Sequence, residues 1–126
     1  MSLVLDAGAL VALERNDRAM WVRLKAALVA GTEVISHGGV IGQVWRSGGP
    51  RQALLARALA SFDVKPLDEA LGRSAGALLA RTRGRDVIDA AVAALARPGD
   101  IILTTDPEDL GPLARATGHP IDIVAV

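Results

Sequence analysis

The sequence predicts an α/β domain built on a mainly parallel sheet, and three observations carry that expectation. Short apolar runs at residues 2–5, 33–36, 62–67, 100–105 and 121–126 have the length of buried strands. Between them lie stretches whose apolar residues recur at helical spacing. The two kinds alternate with short connections, the pattern of crossover units that bring strands together in parallel. With 126 residues, 51% of them hydrophobic and 22% charged, residues 1–126 form one domain with a sizeable core.

Composition removes several function classes. The chain has no cysteine, so disulfides, thiolate metal sites and cysteine nucleophiles are excluded. Lys plus Arg and Asp plus Glu number 14 each, so no basic balance advertises a nucleic-acid binder. The start, Met-Ser-Leu-Val-Leu-Asp, lacks a basic leader and its apolar run ends by Leu5. A cytoplasmic protein without a membrane span is expected.

Taken in order, the first strand leads into Asp6-Ala-Gly-Ala, with Leu10, Val11 and Leu13 at helical spacing. Asp6 stands at the junction. It can cap the helix or project from the carboxyl end of the strand into the crevice where α/β folds bind ligands. Residues 17–30 place Met20, Trp21, Leu24, Ala27 and Leu28 on one helical face, ended by Gly31. Trp21 reads as a core or interface residue, because Trp21, Trp45 and Phe62 are too few aromatics for a base-stacking platform.

The second strand feeds His37-Gly-Gly-Val-Ile-Gly-Gln-Val-Trp45, which opens a helix. Its Gly38, Gly39 and Gly42 lack the full dinucleotide fingerprint, and His37 reads as a hydrogen-bonded loop residue. After the Ser47-Gly-Gly-Pro50 loop, Pro50 starts a helix carrying Leu54, Leu55, Ala58 and Leu59. Past the third strand, Asp68 caps a helix through Arg81, with Glu69 in its first turn and Leu71, Leu78 and Leu79 facing inward.

The chain is organised around the next helix, Asp86-Val-Ile-Asp-Ala-Ala-Val-Ala-Ala-Leu95. Residues three apart are helical neighbours, so Asp86 and Asp89 sit together while Val87, Ile88, Ala91, Val92 and Leu95 face the core. Arg73, Arg81, Arg83 and Arg85 are expected as a positive rim on its approach, or as a solvated helix face. The strand at 100–105 then delivers Asp106-Pro-Glu-Asp109, which also satisfies everything a helix start requires. His119, before Pro120, is a turn residue.

Asp6, Asp86, Asp89, Asp106 and Asp109 are half of the ten aspartates, and all fall at edges between elements. If the strands before Asp6 and Asp106 run parallel and adjacent, these carboxylates emerge at one edge of the sheet. Such convergence is costly without a cation. An oxygen-only donor set selects Mg²⁺ or Mn²⁺, ions that hold phosphates, so hydrolysis of nucleic acid is a natural reaction class.

The segments Leu3-Val-Leu-Asp-Ala-Gly-Ala-Leu-Val-Ala12, Asp86-Val-Ile-Asp-Ala-Ala-Val-Ala-Ala-Leu-Ala96 and Ile102-Leu-Thr-Thr-Asp-Pro-Glu-Asp-Leu110 resemble the successive acidic motifs of PIN-domain ribonucleases, and most closely those of VapC-type toxins of VapBC toxin–antitoxin systems. The resemblance covers nearly the whole chain. It implies a PIN-like α/β/α sandwich with a mainly parallel five-stranded sheet, Mg²⁺- or Mn²⁺-dependent endoribonuclease activity, a homodimer, and neutralisation by a VapB-like antitoxin. Carried over by position, Asp6, Asp89 and Asp106 match the catalytic metal-binding acids, with Asp109 and Asp86 as further ligands. The second motif departs from the pattern: where the family has a glutamate, this sequence has Gln43. A glutamine keeps a carbonyl ligand and loses a negative charge.

The competing expectation is a catalytically weakened PIN domain acting as a binding module with its antitoxin. A receiver-like phosphotransfer domain needs a late lysine, and the only lysines are Lys25 and Lys65. A haloacid-dehalogenase-type phosphatase needs an aspartate where Gly8 stands.

Overall fold

The computed structural model describes residues 1–126. The strands are β1 (Ser2–Leu5), β2 (Glu33–His37), β3 (Asp63–Lys65), β4 (Ile101–Thr104) and β5 (Asp122–Ala125). The helices are α1 (Ala7–Glu14), α2 (Arg18–Val29), α3 (Gly38–Val44), α4 (Ala53–Leu59), α5 (Glu69–Thr82), α6 (Val87–Leu95) and α7 (Pro107–Ala116), with a single 3₁₀ turn at Pro50–Gln52 before α4. All strand pairs are parallel, in the order β3-β2-β1-β4-β5.

That order fixes where the helices go. The chain moves from β1 to β2 to β3 in one direction along the sheet, then crosses back to β4 and on to β5. Right-handed crossovers place the helices of these two halves on opposite faces. Accordingly α1 packs with α2, α3 and α4, while α5, α6 and α7 pack with one another. The result is the α/β/α sandwich. Val4, Leu5, Leu10, Ile102 and Leu110 are among the fully buried side chains between the layers.

Local chemistry accounts for the element ends. Asp17, Asp68 and Asp86 accept backbone N–H bonds at the starts of α2, α5 and α6, and Gly31 takes a left-handed φ of 74° just after α2. The third strand is shorter than its apolar run, because only Asp63, Val64 and Lys65 find partners on the edge of β2. Of the residues expected to face the core, Ala91 and Val92 are buried and Ile88 and Leu95 partly so, whereas Val87 is exposed; Ala90 and Ala93 are buried as well.

His37 holds the two layers together at the carboxyl edge of the sheet. It is not in a loop but ends β2, fully buried. Its Nδ1 accepts the Gly39 N–H at 3.0 Å, which leaves Nε2 protonated to donate to the Ile88 carbonyl at 3.0 Å. One neutral ring thereby caps α3 and ties it to α6. Burial lowers its pKa from 6.5, opposed by the Ile88 bond. A base held neutral in the fold contributes fully above pH 6.5, and that contribution drains away as pH falls below it. His37→Asn keeps a capping oxygen and loses the Ile88 bond. We expect it to cost about 1–3 kcal/mol in urea unfolding at pH 7.5 and to flatten the stability loss of the wild type below pH 6.5.

Candidate functional site

The sheet changes direction of travel between β1 and β4, which are neighbours in the sheet although the chain runs from β1 to β2. Open parallel sheets bind ligands at the carboxyl ends of such a pair. Leu5 pairs with Leu103, so the next residues, Asp6 and Thr104, lie side by side there. This confirms the parallel adjacency on which the convergence of acids depended.

Asp6 caps its helix, and its other oxygen is engaged inside the protein. One carboxylate oxygen accepts the Ala9 N–H at 2.9 Å and caps α1; the other accepts the Thr104 hydroxyl. Asp6 is only 4% exposed, and burial raises its pKa, with the Thr104 bond opposing and the Asp106 charge adding to the rise. The same Thr104 oxygen accepts the Asp106 N–H at 2.8 Å. A single buried hydroxyl therefore spaces the end of β1 from the start of α7. The approach is close: a Cβ on Gly8 would lie 1.8 Å from the Thr105 hydroxyl oxygen, so glycine is required there.

Asp106 corrects an expectation. It occupies the cap position of α7, yet its side chain makes no capping bond, and it is exposed. The helix start satisfied by local rules does not consume this carboxylate. Asp86 is consumed in part, accepting the N–H groups of Ile88 and Asp89 through one oxygen at 2.9 and 3.1 Å.

Asp89 is the electrostatic centre. Its pKa is pushed up to about 6, first by burial and then by the charges of Asp86, Asp6, Asp109 and Asp106. All the acids predicted from sequence thus act on this one carboxyl. Asp86, Asp89 and Asp109 line a cavity of about 350 Å³ together with Leu79, Thr82, Gly84, Arg85, Pro112 and Leu113. No three of the acids lie close enough together to hold a metal ion as the side chains stand. Gln43 lies on an exposed part of α3, one turn beyond Gly39 on the same face. Gly39 approaches α6 so closely that a Cβ would sit 2.6 Å from Ile88 Cδ1, so this face of α3 is turned toward α6. Gln43 makes no hydrogen bond to any of the acids.

The expected arginine rim resolves into a single residue. Arg73 pairs with Glu69 at 2.7 Å, Arg81 donates to the Ala116 carbonyl at 3.1 Å, and Arg83 takes a left-handed φ of 58° in ending α5. Only Arg85 lines the acidic cavity. Arg73 and Arg81 belong to α5 and are engaged there, whereas Arg85 follows the helix end at Arg83. Thr104, which joins Asp6 to the start of α7, is the residue of this cluster missed from sequence. Its signal was a hydroxyl at the end of a wholly apolar strand, legible only once β4 is paired with β1.

The donor set is oxygen alone, and four negative charges bear on a fifth. This chemistry fits a hard divalent cation.

The architecture is that of a PIN-like α/β/α fold. Among solved structures the chain is similar to the crystal structure of VapBC2 from Rickettsia felis bound to a DNA fragment from their promoter, with a TM-score of 0.70 and 12% sequence identity, over 98% of this chain and 99% of that one. No family model matches the sequence, and neither does any curated protein.

Proposed function

We propose that the chain is the toxin of a type II toxin–antitoxin system, a metal-dependent endoribonuclease that hydrolyses RNA phosphodiester bonds. The observation that carries this reading is Asp89, raised to about 6 beneath four other aspartates at the switch point of a parallel sheet. Asp6, Asp89 and Asp106, with Asp109, Asp86 and the Gln43 carbonyl, would hold Mg²⁺ or Mn²⁺, which when bound supplies an activated water and offsets charge on the phosphate. The chain's own part is to hold these oxygens ready. Thr104 orients Asp6, the α1 cap fixes its rotamer, and the start of α6 carries Asp86 and Asp89 on neighbouring positions.

A VapB-like antitoxin and a homodimer belong to the same reading. The similarity to VapBC2 supports the first, and the exposed Val22, Leu28 and Val29 of α2 suit protein contact. Gln43 favours a second reading, a weakened domain that binds its antitoxin without cleaving RNA. The deciding experiment incubates the antitoxin-free protein with single-stranded and structured RNA in Mg²⁺, Mn²⁺ or EDTA, with Asp6→Asn as control. We expect cleavage that needs metal and vanishes in the variant. Metal-dependent cleavage persisting at the wild-type rate in repurified, well-folded Asp6→Asn would remove the site assignment, whereas a well-folded protein that cleaves no RNA would establish the second reading.

A further inference from the structure

The cavity between α5, α6 and α7 holds more than carboxylates. Leu79, Pro112 and Leu113 give it apolar lining, and Arg85 adds a cation. Arginine beside three carboxylates ordinarily pairs with one of them. Here it does not: the ion pairs of the protein are Lys65–Asp63 and Arg73–Glu69, and the Arg85 guanidinium donates to no other group. Its five donors are free for a ligand. The backbone that carries it is held at both ends, by Arg83 ending α5 and by Asp86 capping α6.

Free guanidinium, apolar lining and adjacent acids form a combination that suits one nucleotide. A planar fork of donors matches a phosphate, and an apolar wall accepts the face of a base or ribose. The acids would hold a cation beside the phosphate that such a site takes.

Resting on the nuclease reading above, we propose that Arg85 binds the phosphate next to the scissile bond, and that this nucleotide lies against Leu79, Pro112 and Leu113. Arg85 is then a substrate-positioning residue that takes no part in bond making. Steady-state cleavage of a single-stranded RNA oligonucleotide in Mg²⁺ tests this with Arg85→Ala and Arg85→Lys. Arg85 is exposed, so both variants should fold. We expect Arg85→Ala to raise KM about tenfold with kcat held within about threefold, and to reduce the salt slope of kcat/KM by about one. Arg85→Lys should recover part of the KM, since a point charge replaces the fork. An unchanged KM in Arg85→Ala, whether or not kcat falls, overturns the proposal and leaves the nuclease reading intact. A wild type without metal-dependent cleavage overturns both.

Discussion

Asp89→Asn should abolish metal-dependent cleavage and, at the same time, stabilise the metal-free protein. The two effects have one cause. Asp89 is half-buried, and burial first, then the charges of Asp86, Asp6, Asp109 and Asp106, raise its pKa from 3.8 to about 6. The folded protein therefore keeps a proton that the unfolded chain releases. Stability falls as pH rises from about 4 to 6, and the full penalty stands at neutral pH. The displacement alone corresponds to ~3 kcal/mol. Solvent reaching the cavity, and the lost attraction of a negative charge for the start of α6, leave an expected gain of about 1–2 kcal/mol. That is a rise in Tm of roughly 4–8 °C at pH 7.5, shrinking toward zero at pH 4. Adding Mg²⁺ should raise the Tm of the wild type and move the variant far less. Thermal unfolding at both pH values checks this. A variant no more stable than the wild type at pH 7.5 would mean that neither burial nor the neighbouring acids strain Asp89, and would remove the chief support for a cation among them.

Gln43→Glu should tighten divalent-metal binding about tenfold, a gain of ~1.4 kcal/mol. Gln43 stands one helical turn beyond Gly39, on the face of α3 that approaches Ile88, the neighbour of Asp89. A carboxylate there adds a charged ligand where the native amide offers only a carbonyl. The metal-free variant should be less stable than the wild type, because a sixth negative charge joins the cluster. Titration calorimetry with Mn²⁺ measures the affinity directly. Equal affinity in the two proteins would place Gln43 outside the metal's reach, and the departure from the family pattern would then have no bearing on activity.

The readable parts of the site were the residues that local rules bring to element ends. Asp86 and Asp89 are three apart on one helix, and that spacing alone made them neighbours. Asp106 shows the limit of such rules. Asp, Pro and following acids are what any helix start uses, so the sequence could not tell a capping carboxylate from a free one. The structure leaves it free: the Asp109 N–H bonds the Asp106 main-chain carbonyl, and the side chain makes no capping bond. The arginine rim failed for a related reason: periodicity does not continue through the turn at Arg83.

By itself the sequence determined the alternation of strands and helices, the parallel sheet and most of the caps, because periodicity and capping act between residues a few positions apart. Only the tertiary structure decided which strands are neighbours. The crossover back to β4 set it beside β1, and so brought the Thr104 hydroxyl to Asp6, 98 residues away in the chain. Strand order is chosen by the burial of whole layers and by the hand of the crossovers, and no local pattern encodes either. The strain on Asp89 is likewise a property of distances through space, collected from the β1–α1 junction, α6 and α7, which meet only when the sheet is complete.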